Sequence, residues 1–171
     1  MKIKLLVLDV DGVMTDGLLY YGNAEEPLRA FHIQDGFGIK LFQQTGGHVA
    51  ILTGKQSNGV QSRARDLGIE RVIQGSADKR ADLEELMSEV GVTPEETAML
   101  GDDLPDLAAM RISGYPMAVA NGVDEVREVA RYVTRRPGGA GAVRDAVEHL
   151  LRAAKELDTA LAPYLAAPTK A

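Results

Sequence analysis

The sequence of 171 residues contains no cysteine, so disulfide bonds and thiolate metal sites are excluded. It has only three histidines, His32, His48 and His149, and none has a partner at the spacing of a zinc ligand pair. The 25 acidic residues outnumber the 19 basic ones. The net charge of −6 disfavours a broad nucleic-acid surface, and we expect no nucleic-acid partner.

Long apolar runs are absent as well. No run reaches the ~18 residues that a membrane-spanning helix needs, so we expect no membrane partner. The chain leads from Met1 directly into a strand pattern without the regions of a signal peptide, so we expect a cytoplasmic protein. The length favours one domain. We expect this domain to cover residues 1–156, followed by a C-terminal tail at 157–171.

The rest of the sequence alternates short apolar runs with helical patterns. Such runs are typical of parallel strands that are covered on both faces. We predict strands at about residues 3–10, 48–53, 71–74, 97–100, 115–119 and 131–134. We predict helices at about residues 36–46, 56–68, 78–90, 103–112, 123–130 and 140–155. This alternation indicates an α/β fold with a doubly wound parallel sheet, similar to a Rossmann fold.

Two segments do not fit the alternation. Residues 17–33 predict a β-hairpin with its turn at 22–26, which would project beside the end of the first strand. The tail at 157–171 is rich in alanine and carries apolar residues at helical spacing, so it could dock on the domain or be loosely attached.

Polar side chains follow several of the apolar strands or begin the next helix. They are Asp9, Asp11, Thr53, Lys79, Asp102 and Asp103. Because the carboxyl ends of parallel strands meet at one edge of a sheet, we expect these side chains to converge there. Each aspartate taken alone could instead be a helix N-cap or a turn residue.

Carboxylates, a lysine and a hydroxyl group at one edge predict a site for a phosphate and a divalent cation. Asp9 is the first carboxylate after the strand and is the candidate nucleophile, which would form an aspartyl phosphate. Asp11 is the candidate general acid and base. Thr53 and the amide of Gly54 would bind phosphate oxygens, and Lys79 would supply a fixed positive charge.

The charge balance of this site requires a cation, because the carboxylates would otherwise face a phosphate dianion. Oxygen ligands favour Mg²⁺, which we expect to be bound by Asp9, Asp102 and the backbone carbonyl of Asp11. Asp103 could act through a metal-bound water. Asp106 lies one turn into the next helix and could orient the lysine or those waters.

These residues resemble the four motifs of the haloacid dehalogenase superfamily. Residues 9–15, with the sequence Asp-Val-Asp-Gly-Val-Met-Thr, resemble the first motif, and Thr53 and Lys79 resemble the second and third. Gly101-Asp102-Asp103-x-x-Asp106 resembles the fourth. Predicted elements already fill the intervals between the motifs, so no room remains for a cap domain. The resemblance implies a capless, Mg²⁺-dependent phosphatase with the hairpin as a flap.

Residues 31–40, 52–55, 74–79 and 132–144 resemble one capless family, the tetrameric phosphatases of 3-deoxy-D-manno-octulosonate 8-phosphate. The resemblance implies hydrolysis of this small acidic sugar phosphate, a role in lipopolysaccharide biosynthesis, and a homotetramer in which four hairpins meet and neighbours help to cover each site. It also implies that substrate contacts come from Asp11, Gly12, His32, Ile33, Gln34, Asp35, Gly36, Lys40, Gly54, Lys55, Arg63 and Lys79.

Some positions depart from that family. Lys40 and Lys55 stand where it usually has arginine, which keeps the charge but loses the bidentate fork for a carboxylate. For these lysines and Arg63 the alternative is a solvated helix face. Related phosphatases of 2-keto-3-deoxy-nonulosonate 9-phosphate tend to have glutamate at position 55, so Lys55 favours the octulosonate.

Three other functions are compatible with the same residues. A capless protein phosphatase would use the same chemistry on a larger substrate. A receiver-like signalling domain also combines acidic residues, a hydroxyl group and a lysine, but its acceptor aspartate follows a middle strand. An inactive scaffold is disfavoured because the motifs are complete.

Overall fold

The computed structural model describes residues 2–21 and 26–166. Within these residues the central feature is a parallel sheet with the strand order β3-β2-β1-β4-β5-β6. The strands are β1 (Leu5–Leu8), β2 (His48–Thr53), β3 (Arg71–Gln74), β4 (Thr97–Gly101), β5 (Tyr115–Ala118) and β6 (Tyr132–Val133). The predicted doubly wound α/β fold is therefore confirmed.

Helices cover both faces of this sheet. They are α1 (Ile33–Gln44), α2 (Asn58–Leu67), α3 (Lys79–Val90), α4 (Leu107–Ile112), α5 (Asp124–Val129), α6 (Ala142–Ala153) and α7 (Leu157–Leu165). The helix predicted at 103–112 is divided into a 3₁₀ turn at Leu104–Asp106 and α4. None of the helices in the described part of the chain has the length and apolarity that crossing a bilayer requires.

The apolar residues of β1 pack into two hydrophobic cores, one on each face of the sheet. Leu6 and Leu8 are fully buried in the core that includes residues of α1, α2, α6 and α7. Leu5 and Val7 are fully buried in the core on the opposite face, with residues of α3, α4 and α5. Successive side chains of a strand point to opposite faces, so a strand buried on both faces must be apolar throughout.

The described part of the β-hairpin has less strand pairing than the hairpin predicted at residues 17–33. Tyr20 and Leu28 form an antiparallel bridge, in which the amide of Leu28 donates to the carbonyl of Tyr20 at 3.1 Å. Most of the predicted turn, residues 22–25, lies outside the described residues. The prediction was wrong for Ile33, which begins α1, although the helix was expected from residue 36. Ile33 is 82% exposed, so its apolar character did not mark a buried strand position.

Helix α1 packs closely against α6. A Cβ atom on Gly38 would lie 3.0 Å from the Cα atom of Arg144, so glycine permits this approach. The buried carboxylate of Asp35 accepts hydrogen bonds from the amides of Gly141 and Arg144, at 3.3 and 2.8 Å. It therefore satisfies amide groups at the N-terminus of α6 that have no partner within the helix.

Helix α7 shows that the described part of the C-terminal tail docks on the domain. Leu157 and Ala160 are buried in the core that contains α1 and α6. The Tyr164 ring packs edge-on against Phe37, with ring centroids 4.9 Å apart, and its hydroxyl oxygen accepts a hydrogen bond from Gln44. The docking alternative is thus confirmed for α7, while residues 167–171 lie outside the described residues.

Candidate active site

The carboxyl ends of three adjacent strands carry the predicted site. Asp9 follows β1, Thr53 ends β2 and Asp102 follows β4. Strand β1 pairs with both β2 and β4, which brings these ends together. They border a cavity of about 240 Å³. Its lining residues are Asp9, Asp11, Thr53, Gly54, Lys55, Lys79, Asp102, Asp103, Pro105 and Asp106. All of them except Pro105 are among the residues that the sequence predicts.

Lys79 links two carboxylates in this cavity. Its Nζ atom lies 2.8 Å from Oδ1 of Asp9 and 2.6 Å from Oδ1 of Asp106. Burial acts to lower the pKa of Lys79, but the charges of Asp9 and Asp106 outweigh it and raise the pKa above its usual value. The lysine therefore stays cationic, and its position as the first residue of α3 fixes its direction.

The carboxylates carry more negative charge than this lysine can compensate. Burial raises the pKa of Asp9 to about 6, and the charge of Asp106 adds to the effect while Lys79 opposes it. Burial also raises the pKa of Asp102 to about 8, supported by the charges of Asp9 and Asp106. A cation beside these groups would favour their ionised forms.

Carboxylate oxygens of Asp9, Asp102 and Asp106 lie within 4.8 Å of one another. Asp106 is already satisfied, because its Oδ1 contacts Lys79 and its Oδ2 accepts from the amides of Asp102 and Asp103, at 2.9 and 3.3 Å. Among the described residues, nothing donates a hydrogen bond to the Asp102 carboxylate. The oxygen donors of Asp9 and Asp102 therefore fit a hard cation such as Mg²⁺, whereas Asp106 orients the lysine and the loop after β4.

Gly12 allows the loop after β1 to pack against Asp102 of the fourth motif. Its φ angle is +94°, and a Cβ atom at this position would overlap the carboxylate of Asp102. Both the backbone conformation and the close approach therefore require glycine. The loop after β1 can in this way place its backbone next to the Asp102 carboxylate.

The loop after β2 has a buried hydroxyl group and an exposed rim. Thr53 is buried, and its Oγ1 atom accepts a weak hydrogen bond from the amide of Lys55 at 3.4 Å. Gly54 and Lys55 are exposed and line the cavity. This arrangement leaves the amide of Gly54 and the side chain of Lys55 in reach of a ligand in the cavity.

Asp11 lies apart from the Lys79 cluster and is bound by a residue of the hairpin. Nε and Nη2 of Arg29 lie 2.6 and 3.3 Å from the two carboxylate oxygens of Asp11. The sequence predicts that the hairpin stands beside the site, but Arg29 was missed. Its contact depends on how the hairpin folds back, and the only available signal was a basic residue within the predicted hairpin.

The remaining substrate-contact candidates do not line this cavity. The amine of Lys40 donates to the carbonyl of Leu67 at 2.6 Å, and Nη2 of Arg63 donates to the carbonyl of His32 at 3.2 Å. Gly36 packs against Arg63, whose guanidinium group leaves no space for a Cβ atom at position 36.

Residues 33–35 of the same group also face other parts of the chain or solvent. The side chain of Gln34 accepts a hydrogen bond from Arg136, and Asp35 caps α6 as described above. Ile33 is exposed. Within one chain, residues 32–36, Lys40 and Arg63 therefore form a separate group, and their contact with a substrate stays a prediction.

Comparison with known proteins agrees with this geometry. Residues 68–146 match the model of the family described as haloacid dehalogenase-like hydrolase. The chain is 42% identical over 159 residues to 3-deoxy-D-manno-octulosonate 8-phosphate phosphatase KdsC of Yersinia pestis, covering 93% of this chain and 85% of that protein. The protein of the same name from Escherichia coli (strain K12) gives the same identity and coverage.

Solved structures give the same result. The 3-deoxy-D-manno-octulosonate 8-phosphate phosphatase from Moraxella catarrhalis, in complex with magnesium ion, phosphate ion and KDO, is 41% identical, with a TM-score of 0.92. The match covers 95% of this chain and 93% of that one. The cobalt-bound phosphatase from Haemophilus influenzae is 37% identical, with a TM-score of 0.89 and 92% coverage of both chains.

Fold, site and relatives together define a haloacid dehalogenase-like hydrolase. Within this class, the chain belongs to the family of 3-deoxy-D-manno-octulosonate 8-phosphate phosphatases. The resemblance predicted from the motifs is therefore confirmed.

Proposed function

We propose that this chain is a Mg²⁺-dependent phosphatase that hydrolyses 3-deoxy-D-manno-octulosonate 8-phosphate through an aspartyl phosphate. The observation that carries the proposal is the placement of Lys79 between Asp9 and Asp106, with Asp102 beside them. The names of the relatives, at about 42% identity over most of the chain, support the choice of substrate.

The first half-reaction transfers the phosphoryl group to the protein. The carboxylate of Asp9 attacks phosphorus, and the bond between phosphorus and the sugar oxygen breaks. Asp11 in its protonated form gives its proton to the departing oxygen, so the sugar leaves as an alcohol.

The second half-reaction restores the protein. Asp11 is now a carboxylate and takes a proton from a water molecule, whose oxygen attacks the phosphorus of the aspartyl phosphate. The bond to Asp9 breaks, and inorganic phosphate leaves. Both aspartates return to their starting forms, so one ester and one water give one alcohol and one phosphate.

The other groups of the cavity bind and stabilise charge. Lys79, Thr53 and the amide of Gly54 contact phosphate oxygens, and Asp106 holds the lysine in place. Mg²⁺, when bound by Asp9 and Asp102 with the Asp11 carbonyl, neutralises negative charge around the phosphate. Such electrostatic stabilisation is needed because general acid catalysis supplies only ~10²–10⁴ of the acceleration.

We further propose a homotetramer in which neighbours complete each site. Large apolar side chains of the hairpin are exposed, with Tyr21 at 80% and Leu28 at 70%, which supports burial against another subunit. Residues 32–36, Lys40 and Arg63 would then contact a substrate across the interface, while Lys55 would act within its own cavity. A cytoplasmic location and a domain limit at residue 156 stay predictions.

A substrate panel tests the proposed function. Phosphate release would be measured with the octulosonate 8-phosphate, the nonulosonate 9-phosphate, other sugar phosphates and phosphopeptides, each with Mg²⁺ and with a chelator. We expect the highest kcat/KM for the octulosonate and loss of activity with the chelator. A preference for phosphopeptides would indicate a protein phosphatase, and a stable label without turnover would indicate a receiver-like domain.

A further inference from the structure

The arm of the hairpin that returns to α1, residues 26–32, places a buried guanidinium group on Asp11. The side chain of Arg29 is only 5% exposed, and that of Asp11 is 26% exposed. Each of two guanidinium nitrogens faces a different carboxylate oxygen, at 2.6 and 3.3 Å. A two-point contact of this kind fixes both the position and the plane of a carboxylate.

Arg29 is the main restraint on this carboxylate. Among the residues that the structure describes, no other group donates a hydrogen bond to the side chain of Asp11. The cluster of Lys79, Asp9 and Asp106 satisfies itself without it. The loop after β1 sets the position of the Asp11 backbone, and Arg29 sets the direction of its carboxylate.

The same arm has a second attachment that is independent of Asp11. A carboxylate oxygen of Glu26 accepts a hydrogen bond from the amide of Asn58, at the start of α2, at 3.2 Å. Arg63 also donates to the carbonyl of His32 in this arm. Of these attachments, only the one through Arg29 touches a candidate catalytic group. Anchoring of the hairpin and orientation of Asp11 can therefore be separated by mutation.

We propose that Arg29 is a positioning residue for the reaction and acts by holding Asp11 in the orientation that proton transfer requires. This inference rests on the proposed function, which assigns proton transfer to Asp11. Asp11 must face the departing oxygen in the first half-reaction and a water molecule in the second, so the direction of its side chain matters in both. A lysine at position 29 would keep the charge but lose the fork.

The test compares kcat and KM for the wild type, Arg29→Met, Arg29→Lys and the control Glu26→Ala, which removes the acceptor for the amide of Asn58. We expect Arg29→Met to lower kcat at least ~10-fold, a part of the ~10²–10⁴ that proton transfer supplies, with KM changed less than about threefold. Arg29→Lys should recover part of the loss. Glu26→Ala should stay within about twofold of the wild type, because it leaves Asp11 in place.

A second comparison shows whether Arg29 acts through Asp11. In an Asp11→Asn background, adding Arg29→Met should lower the residual kcat by less than about twofold, since the carboxylate to be positioned is gone. Because Arg29 is buried, thermal unfolding of every variant is recorded. If Arg29→Met does not fold, Arg29→Lys replaces it in both backgrounds, with the same expected order of effects.

Three results would overturn the inference. They are an unchanged kcat in Arg29→Met, an equal loss in Glu26→Ala, and an equal loss from the Arg29 change with and without Asp11. Turnover of the wild type in the same assays shows whether the role of Arg29 or the proposed function itself is wrong. An active wild type with unaffected Arg29 variants overturns only the inference, and an inactive wild type overturns both.

Discussion

The amine of Lys79 lies 2.6 Å from Oδ1 of Asp106, closer than the 2.8 Å that separates it from Asp9. The other oxygen of Asp106 accepts from two amides of the loop after β4. One buried carboxylate therefore fixes both the lysine of the third motif and the loop that carries Asp102. Asp106 thus connects α3 with the loop after β4. Both of its carboxylate oxygens have protein partners, so neither is left to bind a metal ion.

Replacement of Asp106 by asparagine should weaken both links. The neutral side chain can no longer pair with Lys79, and breaking a buried ion pair costs about 3–5 kcal/mol when one partner is removed. Here Lys79 retains Asp9, so we expect a smaller loss, about 1–3 kcal/mol of unfolding free energy, together with a lower kcat. Chemical denaturation and steady-state kinetics measure the two effects.

Asp124→Asn provides the matched control, because Asp124 pairs with Arg127 on the surface with its side chain 89% exposed. We expect no measurable change in stability or kcat from it. Equal behaviour of the two variants would show that Asp106 does not hold the site together.

Gly12→Ala should damage the site more than a glycine-to-alanine change elsewhere. The new methyl group would overlap the Asp102 carboxylate, and the backbone has a positive φ angle. Gly91 also has a positive φ, +73°, but nothing lies within 4 Å of a Cβ atom there. In both variants the positive φ angle costs about 1 kcal/mol of unfolding free energy. Any larger loss of stability in Gly12→Ala is therefore due to the overlap with the Asp102 carboxylate.

We expect Gly12→Ala to lower the affinity for Mg²⁺ as well, measured by calorimetric titration, and Gly91→Ala to leave it unchanged. If Gly12→Ala bound Mg²⁺ normally and lost no more stability than Gly91→Ala, the loop after β1 would not be packed against Asp102 as described.

The stability of the chelator-treated protein should decrease as the pH rises. A carboxyl group in the unfolded chain ionises near the ordinary pKa of 3.8, whereas the pKa of Asp102 in the fold is about 8. Between these values the folded state keeps a proton that the unfolded state has lost, so raising the pH favours unfolding. We expect the Tm to fall between about pH 5 and pH 8 with a chelator, and to fall less with Mg²⁺.

Asp102→Asn serves as the reference for this measurement, because it has no proton to lose at position 102. Its Tm should depend less on pH than that of the wild type in the presence of the chelator. Identical pH profiles for the two proteins would mean that the fold does not raise the pKa of Asp102.

The proposed tetramer predicts an effect of charge on the hairpin. Leu28→Asp places a carboxylate on a side chain that is 70% exposed in the single chain. If this surface is buried between subunits, the variant should dissociate, and light scattering should show a lower mass than for the wild type. Leu104→Asp is the control, because the Leu104 side chain is 54% exposed and lies outside the hairpin. It should leave the mass of the assembly unchanged. A monomeric wild type with full activity would contradict the intersubunit site.

Most of the fold could be predicted because buried parallel strands leave a clear signal. Strands β2 and β3 have the predicted bounds, since each contains a short apolar stretch that ends at a polar residue, Thr53 in β2 and Gln74 in β3. The same feature located the site, because Asp9, Thr53 and Asp102 stand at the points where such runs end. The start of α1 was harder, since exposed Ile33 continued the apolar pattern of the hairpin.

The parts that were missed depend on contacts between distant segments. Arg29 meets Asp11 only because the hairpin folds back over the first loop. The link from Asp106 to two amides depends on the shape of a 3₁₀ turn. The capping of α6 by Asp35 joins residues more than 100 positions apart. Local pattern gives no information on such pairs.

The most direct test of the account is to locate the phosphoryl group during turnover. The reaction is stopped with acid after milliseconds, the acyl phosphate is reduced with borohydride, and the modified residue is identified by peptide mass spectrometry. We expect homoserine at position 9 in the wild type and no modification in Asp9→Asn, which should also lose at least ~10³-fold in kcat while keeping its fold. Modification at Asp11 or Asp102, or full activity of Asp9→Asn, would contradict the account.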